Sequence, residues 1–275
     1  MDKMNGIEIK KRKLFSRGNA VIIACDHGEF DGPIQGMEDI QETVSKINKK
    51  VDAVLLSPGM IKHTGEYFTD RYSPLIAGRL NWNTVYCFKW EYKEAVSVEA
   101  FSPEEAILLG IEIALVSLTL KTGSEKRDAE NIRIFRKLTE RCHSLGLPVI
   151  GEYFPASSET IEPEEMYRQI KTGCRIIAEL GADMIKTFYT NNFGDVVRGC
   201  PLPIFILGAS KYPTQLEALK LAASGIRDGA KGVVFGRNAL QVPKPVAFQE
   251  ALMDVVKSSM APEEAVKKHN IKDVQ

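Results

Sequence analysis

Ala182-Asp183-Met184-Ile185-Lys186-Thr187-Phe188-Tyr189 is a short apolar run with an amine in it. Before it, residues 163–180 read as an amphipathic helix closed by Gly181. After it, residues 203–207 form another apolar run. Helix, buried strand, crossover and strand again is the order of a parallel α/β sheet. Such folds build their active sites where strands end, so Lys186 is the first candidate for chemistry. A lysine in that place forms a Schiff base with a ketone when burial or a neighbouring cation lowers its pKa. The plain alternative is a lysine whose head reaches solvent. The aromatic neighbours Phe188 and Tyr189 argue against a solvated face.

Outward from Lys186 the same alternation runs to both ends of the chain. Residues 20–25 read as a first buried strand, 37–48 as a helix and 52–56 as a second strand. Residues 74–77 read as a third strand, with 84–88 and 95–98 forming a hairpin or an excursion. Ser102-Pro103-Glu104-Glu105 has the signature of a helix start. Then come a strand over 111–118, a long amphipathic helix over 125–145 ended by Gly146, and a strand over 148–151 leading into Glu152-Tyr153. Beyond Lys186 and 203–207 lie a helix over 214–227, a strand over 232–235 and a terminal helix at about 261–269. About eight strand–helix units at this length favour a closed (β/α)8 TIM barrel over an open sheet. With no long linker or composition shift, we expect one barrel domain across residues 1–275, with an N-terminal extension over 1–18.

The 275 residues are 44% hydrophobic and 26% charged, with 36 basic and 36 acidic side chains. That balance argues against a nucleic-acid-binding surface and leaves room for a local cationic pocket. The five cysteines are scattered, odd in number and without a CxxC pair, which suits free buried thiols in a reducing compartment. MDKMNGIEIKKRKLF lacks the apolar core of a signal peptide. No run approaches the roughly 20 apolar residues of a membrane span. No membrane partner and a cytoplasmic location are therefore expected. His27, His63, His143 and His269 are far apart, and neither HExxH nor a Cys/His cluster occurs, so no metal is expected. Neither GxGxxG nor GxxxxGK[ST] is present, and no cofactor is expected.

In a barrel the residues just after each strand share one mouth. Those positions hold Asp26-His27-Gly28, Ser57-Pro58-Gly59, Glu152 and Tyr153, Lys186, Gly208-Ala209-Ser210-Lys211, and Gly236-Arg237-Asn238. The last two turns are the usual barrel phosphate site. Their glycines let backbone N–H groups approach an anion, a following helix start adds a favourable dipole, and Lys211 and Arg237 add charge. Tight turns with solvated cations are the plain alternative. Asp26 can take a proton or bind a substrate hydroxyl, or serve only as a turn residue. His27 is a candidate for substrate or phosphate binding, although a satisfied structural histidine is the more frequent case. Tyr153 suits a proton donor whose phenol is made more acidic by Lys186 or Lys211, or a core tyrosine.

These pieces together resemble the DhnA-type class I aldolases. The resemblance is carried by Asp26-His27-Gly28 with Gly32-Pro33-Ile34 and Gly36, and by Gly181 through Tyr189. It continues in Cys200-Pro201-Leu202-Pro203-Ile204 with Gly208 and Lys211, and in Gly229-Ala230-Lys231-Gly232-Val233 with Gly236-Arg237-Asn238 and Gln241. It runs from about residue 18 to 255. That family includes archaeal-type fructose-bisphosphate aldolases, a transaldolase-like synthase of aromatic precursors and a thiolase acting on phosphorylated autoinducer-2. The resemblance implies that Lys186 is the Schiff-base lysine and Tyr153 the acid/base. It implies that Asp26 contacts substrate, and that the turns at Gly208 and Gly236-Arg237 hold the phosphate of a sugar phosphate. It also implies a homo-oligomer.

Two departures stand out. Many relatives follow the fifth strand with Tyr-Pro-Arg-Gly, where this chain has Tyr153-Phe154-Pro155-Ala156. Aligning on proline puts Phe154 in place of the tyrosine and leaves no phenol, whereas aligning on tyrosine makes Phe154 an insertion; Glu152 then becomes an alternative proton carrier. Relatives have Gly-Gly after the seventh strand, where this chain has Gly208-Ala209-Ser210. Arg79, Trp82 and Trp90 lie in an atypical stretch suited to shaping a different substrate pocket. The leading expectation is a class I aldolase acting on a phosphorylated ketose through a dihydroxyacetone phosphate enamine. A thiolase-type acyl transfer on a phosphorylated diketone and a non-catalytic sugar-phosphate-binding barrel are the other two readings.

Overall fold

The computed structural model describes residues 6–156 and 160–272. Eight parallel strands close into a barrel. They are β1 (Ala20–Ala24), β2 (Ala53–Leu56), β3 (Leu75–Arg79), β6 (Ile113–Leu118), β7 (Val149–Tyr153), β8 (Met184–Thr187), β9 (Ile204–Leu207) and β10 (Gly232–Phe235). The two remaining strands, β4 (Asn81–Asn83) and β5 (Ser97–Glu99), form a separate antiparallel pair between β3 and β6. Around the barrel the order is β1-β10-β9-β8-β7-β6-β3-β2, so β7 faces β1 across the interior. The expected (β/α)8 TIM barrel is the observed fold.

Most barrel strands are buried on both faces, which is why they read as unbroken apolar runs rather than as alternating ones. Ile22, Ala24, Leu55, Ala77, Leu115, Ile150, Met184 and Phe205 pack inside the barrel. Their sequence neighbours Val21, Val54, Ala114, Val149, Ile185 and Ile206 pack outward against the helices. The first helix, Gly6–Leu14, belongs to the expected N-terminal extension, of which residues 1–5 lie outside the described residues. It delivers the buried Leu14, and Phe15 beyond it stacks on Phe205 at 5.7 Å, so the extension plugs one end of the barrel.

Most helix starts fall where expected. Ser102 and Thr214 each form a capping box, with Glu105 and Glu217 respectively. Three expectations need correction. The helix expected over 37–48 is confined to Ile40–Ser45, because the Asp39 side chain accepts from Glu42 N and fixes the start. The segment 84–88 is not a strand. Asn83 accepts from Val85 N and turns the chain into short 3-10 turns at Thr84–Tyr86 and Phe88–Trp90. A fourteen-residue helix, Pro245–Ser258, follows β10 and precedes the expected terminal helix, Pro262–Lys268.

Candidate active site

The inward parity of each strand carries on past its apolar residues. From Ile22 and Ala24 it reaches Asp26, from Ala77 it reaches Arg79, from Ile150 it reaches Glu152 and Phe154, and from Met184 it reaches Lys186 and Phe188. Asp26, Arg79, Glu152, Phe154, Lys186 and Phe188 line one cavity of about 810 Å³ at the mouth of the barrel.

At its floor four buried charges alternate in sign. Lys186 Nζ lies 2.6 Å from Glu152 Oε1, and Arg79 Nη2 lies 2.7 Å from Glu152 Oε2. Arg79 Nε donates to Asp26 Oδ2 at 2.7 Å. None of the four is more than 6% exposed. Two cations and two anions give no net charge, which is the condition for placing them so deep. Burial alone would raise both carboxyls. Arg79 and Lys186 outweigh it, holding Asp26 down to about 2 and Glu152 below its ordinary value. Both are carboxylates at neutral pH, and Glu152 has Lys186 Nζ within proton-transfer distance.

An aromatic wall rises above this chain. Ring centroids are 4.8 Å apart for Phe30–Tyr86, 4.6 Å for Tyr86–Phe154 and 4.9 Å for Phe154–Phe188. The Arg79 guanidinium lies over Tyr86 at 4.6 Å and over Phe30 at 5.2 Å. Such cation–π contacts help compensate a desolvated guanidinium. Tyr86 comes from the segment between β4 and β5. Asn81 fixes that segment to the barrel by donating to Ser117 O at 2.8 Å. Trp82 and Trp90 fix it to the first loop by donating to Glu29 O and Phe30 O.

Gly208, Ala209, Ser210, Lys211, Gly236 and Arg237 line the same cavity. Asn238 shapes the first of these turns, donating to Gly208 O at 2.8 Å and to Ser210 O at 3.0 Å. Arg237 Nη2 donates to Ala209 O at 3.0 Å. Ala209 has φ +50°, the left-handed region where glycine is the comfortable residue. At Gly236 an added Cβ would lie 2.2 Å from the His27 ring, so glycine there makes room for His27. Burial lowers the His27 pKa and Asp26 only partly offsets this, leaving a neutral imidazole at that wall.

Tyr153 does not join the others. Its side chain points outward from β7 into the helix layer, where an added Cβ on Gly173 would lie 2.3 Å from its ring. It is absent from the cavity lining. Burial raises its phenol, the reverse of the expected acidification by Lys186 or Lys211. The physical reason is the two-residue period: with Glu152 and Phe154 inward, Tyr153 must face out. Of the atypical stretch, Arg79 lies at the centre of the site, whereas Trp82 and Trp90 serve as anchors. Tyr86 was not among the candidates read from sequence, and nothing in its local motif marks it. Inward spacing from Ala77 was the available signal for Arg79.

Residues 20–242 match the model of the family described as DeoC/LacD family aldolase. An uncharacterised aldolase of Saccharolobus solfataricus is 31% identical, over 96% of this chain and 99% of its own length. A 2-amino-3,7-dideoxy-D-threo-hept-6-ulosonate synthase of Archaeoglobus fulgidus is 31% identical, over 96% of this chain and 95% of its own. Among solved structures, an archaeal fructose-1,6-bisphosphate aldolase superposes with a TM-score of 0.77 at 25% identity. The superposition covers 90% of this chain and 98% of that one, whose catalytic lysine is covalently bound to the carbinolamine intermediate of its substrate.

Proposed function

The chain belongs to the DeoC/LacD family of aldolases, and from that premise we propose that it is a class I lyase, one that makes or breaks a carbon–carbon bond in a phosphorylated ketose through a Schiff base on Lys186. Dihydroxyacetone phosphate, held as an enamine, is the donor half in this reading. The observation that carries it is the pair Lys186–Glu152, an amine and a carboxylate 2.6 Å apart and buried at the floor of the cavity.

Each side chain has a definite task. Glu152 takes a proton from the Lys186 ammonium, and the free amine attacks the ketone carbon. Glu152 then returns that proton to the carbinolamine oxygen, and water leaves. The iminium draws in the electrons of the adjacent carbon–carbon bond as it breaks. Glu152 also takes the proton of the hydroxyl that becomes the aldehyde. Asp26, fixed by Arg79, accepts a hydrogen bond from a substrate hydroxyl. Backbone N–H groups of the turn at Gly208-Ala209-Ser210, with Lys211 and Arg237 beside them, bind the phosphate. His27 forms part of the wall next to Gly236.

The test is reductive trapping. Protein incubated with dihydroxyacetone phosphate and sodium borohydride should gain one adduct, mapped by peptide mass spectrometry to Lys186, and Lys186→Met should gain none. An unmodified Lys186 under these conditions overturns the reading. A panel of aldehydes added to the donor then identifies the acceptor.

A further inference from the structure

Tyr86 is the one phenol lining the cavity among the described residues. Its hydroxyl is buried and makes no well-formed hydrogen bond, although it lies beside Glu152 and Ser117. The ring does not drift into this place. It is held between Phe30 and Phe154 and under the Arg79 guanidinium, on a turn started by the Asn83 cap.

The Schiff-base cycle needs a group that carries a proton at neutral pH and can give it to carbon. Asp26 is ionised, Glu152 is ionised at rest and holds a proton only after the leaving half has given it one, and Lys186 is consumed in the covalent bond. The neutral His27 ring is lodged against Gly236, on the β10 side, away from β7. Phe154, inward on β7, has no hydroxyl. Of the other cavity-lining groups, Lys89 donates to Asp31 O, and Lys211 and Arg237 lie at the turns assigned to the phosphate, which leaves Tyr86, with Glu152 next to it.

Resting on the Schiff-base reading, we propose that Tyr86 is a catalytic acid that protonates the enamine carbon, and that Glu152 recharges it. The balance closes over one turnover. In cleavage the hydroxyl proton of the leaving half goes to Glu152, and the carbon–carbon bond pair moves into the enamine. The Tyr86 O–H then breaks, its proton joins the nucleophilic carbon of the enamine, and the enamine pair becomes the new C–H bond. The iminium re-forms and the phenolate takes the proton held by Glu152. Water releases the product ketone from Lys186.

The electrostatics put these steps in order. At rest, burial and the Glu152 carboxylate keep the phenol firmly protonated, with Arg79 pulling the other way. Once Glu152 has taken a proton its repulsion is gone, while the guanidinium 4.6 Å from the ring centroid remains to stabilise phenolate. Tyr86 thus becomes a competent acid at the stage when an enamine is waiting.

The experiment separates this step from imine formation. Wild type and Tyr86→Phe are incubated with dihydroxyacetone phosphate in D2O, and loss of its C3 proton signal is followed by NMR. Parallel samples are trapped with borohydride. We expect the variant to trap as wild type does and to exchange at least about 100-fold more slowly. Exchange within twofold of wild type overturns the proposal. Loss of trapping and exchange together in the variant also overturns it, since that reports a structural role. Failure of wild type itself to trap identifies the underlying Schiff-base reading as the part at fault, and the proposal falls with it.

Discussion

Glu152 and Lys186 are register partners on adjacent strands, β7 and β8, and both point into the barrel. Their ion pair is therefore set by the sheet itself rather than by a loop. Parallel pairing fixes the two Cα atoms side by side, and inward parity aims both side chains at one point. An amine and a carboxylate paired on rigid elements need little reorganisation when substrate enters. Arg79 ties the outer oxygen of the same carboxylate, leaving Glu152 few rotamers.

Glu152→Gln should slow borohydride trapping of dihydroxyacetone phosphate by about 10²–10⁴-fold, the usual worth of a positioned proton carrier. The amide keeps the shape but accepts no proton from Lys186. It also breaks a buried ion-pair network, at a cost of about 3–5 kcal/mol, so trapping is to be measured well below the variant's own unfolding midpoint. A trapping rate equal to wild type would remove Glu152 from the proton path.

Tyr153→Phe should leave trapping within about twofold of wild type, because the ring faces the helix Pro163–Glu179 rather than substrate. The companion change, Gly173→Ala, drives a methyl to within 2.3 Å of that ring. Overpacking of this kind costs about 1–3 kcal/mol, to be read as a lowered urea midpoint. Catalytic loss in Tyr153→Phe without loss of stability would contradict the outward placement.

How much of this was legible without coordinates follows from the strands. Lys186 and Asp26 could be found because each ends an apolar run, and strand ends in a barrel share a mouth. The choice between Tyr153 and Glu152 could not be read from β7 alone. Val149, Ile150 and Gly151 are buried on both faces, so no polar–apolar alternation marks the inward side. Gly173 holds the answer, yet its role as a slot for the Tyr153 ring exists only once helix and strand are packed. Tyr86 was hidden for a different reason. It sits on an irregular turn whose position depends on Asn81 reaching Ser117 and on tryptophans reaching the first loop, contacts 36 to 60 residues apart in sequence.

Arg237→Met should raise the dihydroxyacetone phosphate concentration for half-maximal trapping by about 10-fold or more, the scale of one charge-assisted hydrogen bond. The trapping rate at saturation should change by less than about threefold, since Arg237 lines the proposed phosphate end of the cavity and is not in the Lys186 ion-pair chain. The reverse pattern, an unchanged half-maximal concentration with a large fall in rate, would place the phosphate elsewhere.

Glu29 supplies a pH test of the buried electrostatics. Its carboxylate oxygens are buried without hydrogen-bond partners. Burial raises its pKa to about 8, with Arg79 opposing and Asp26 adding to the rise. In the unfolded chain it titrates at about 4.3. Between those two values the folded state holds a proton that the unfolded state has released. This contribution to stability is therefore fully present below the unfolded pKa and is lost as pH rises towards 8, above which the slope vanishes. Glu29→Gln cannot ionise and should escape the loss. The difference in unfolding free energy between variant and wild type should move in the variant's favour steadily from pH 5 to pH 8 and level off above, as followed by urea titrations at each pH. Comparing the two proteins removes the titrations they share, Asp26 included, as far as those sites act independently. A difference that stays flat across that range would mean that Glu29 is ionised in the folded protein at neutral pH and has found a partner.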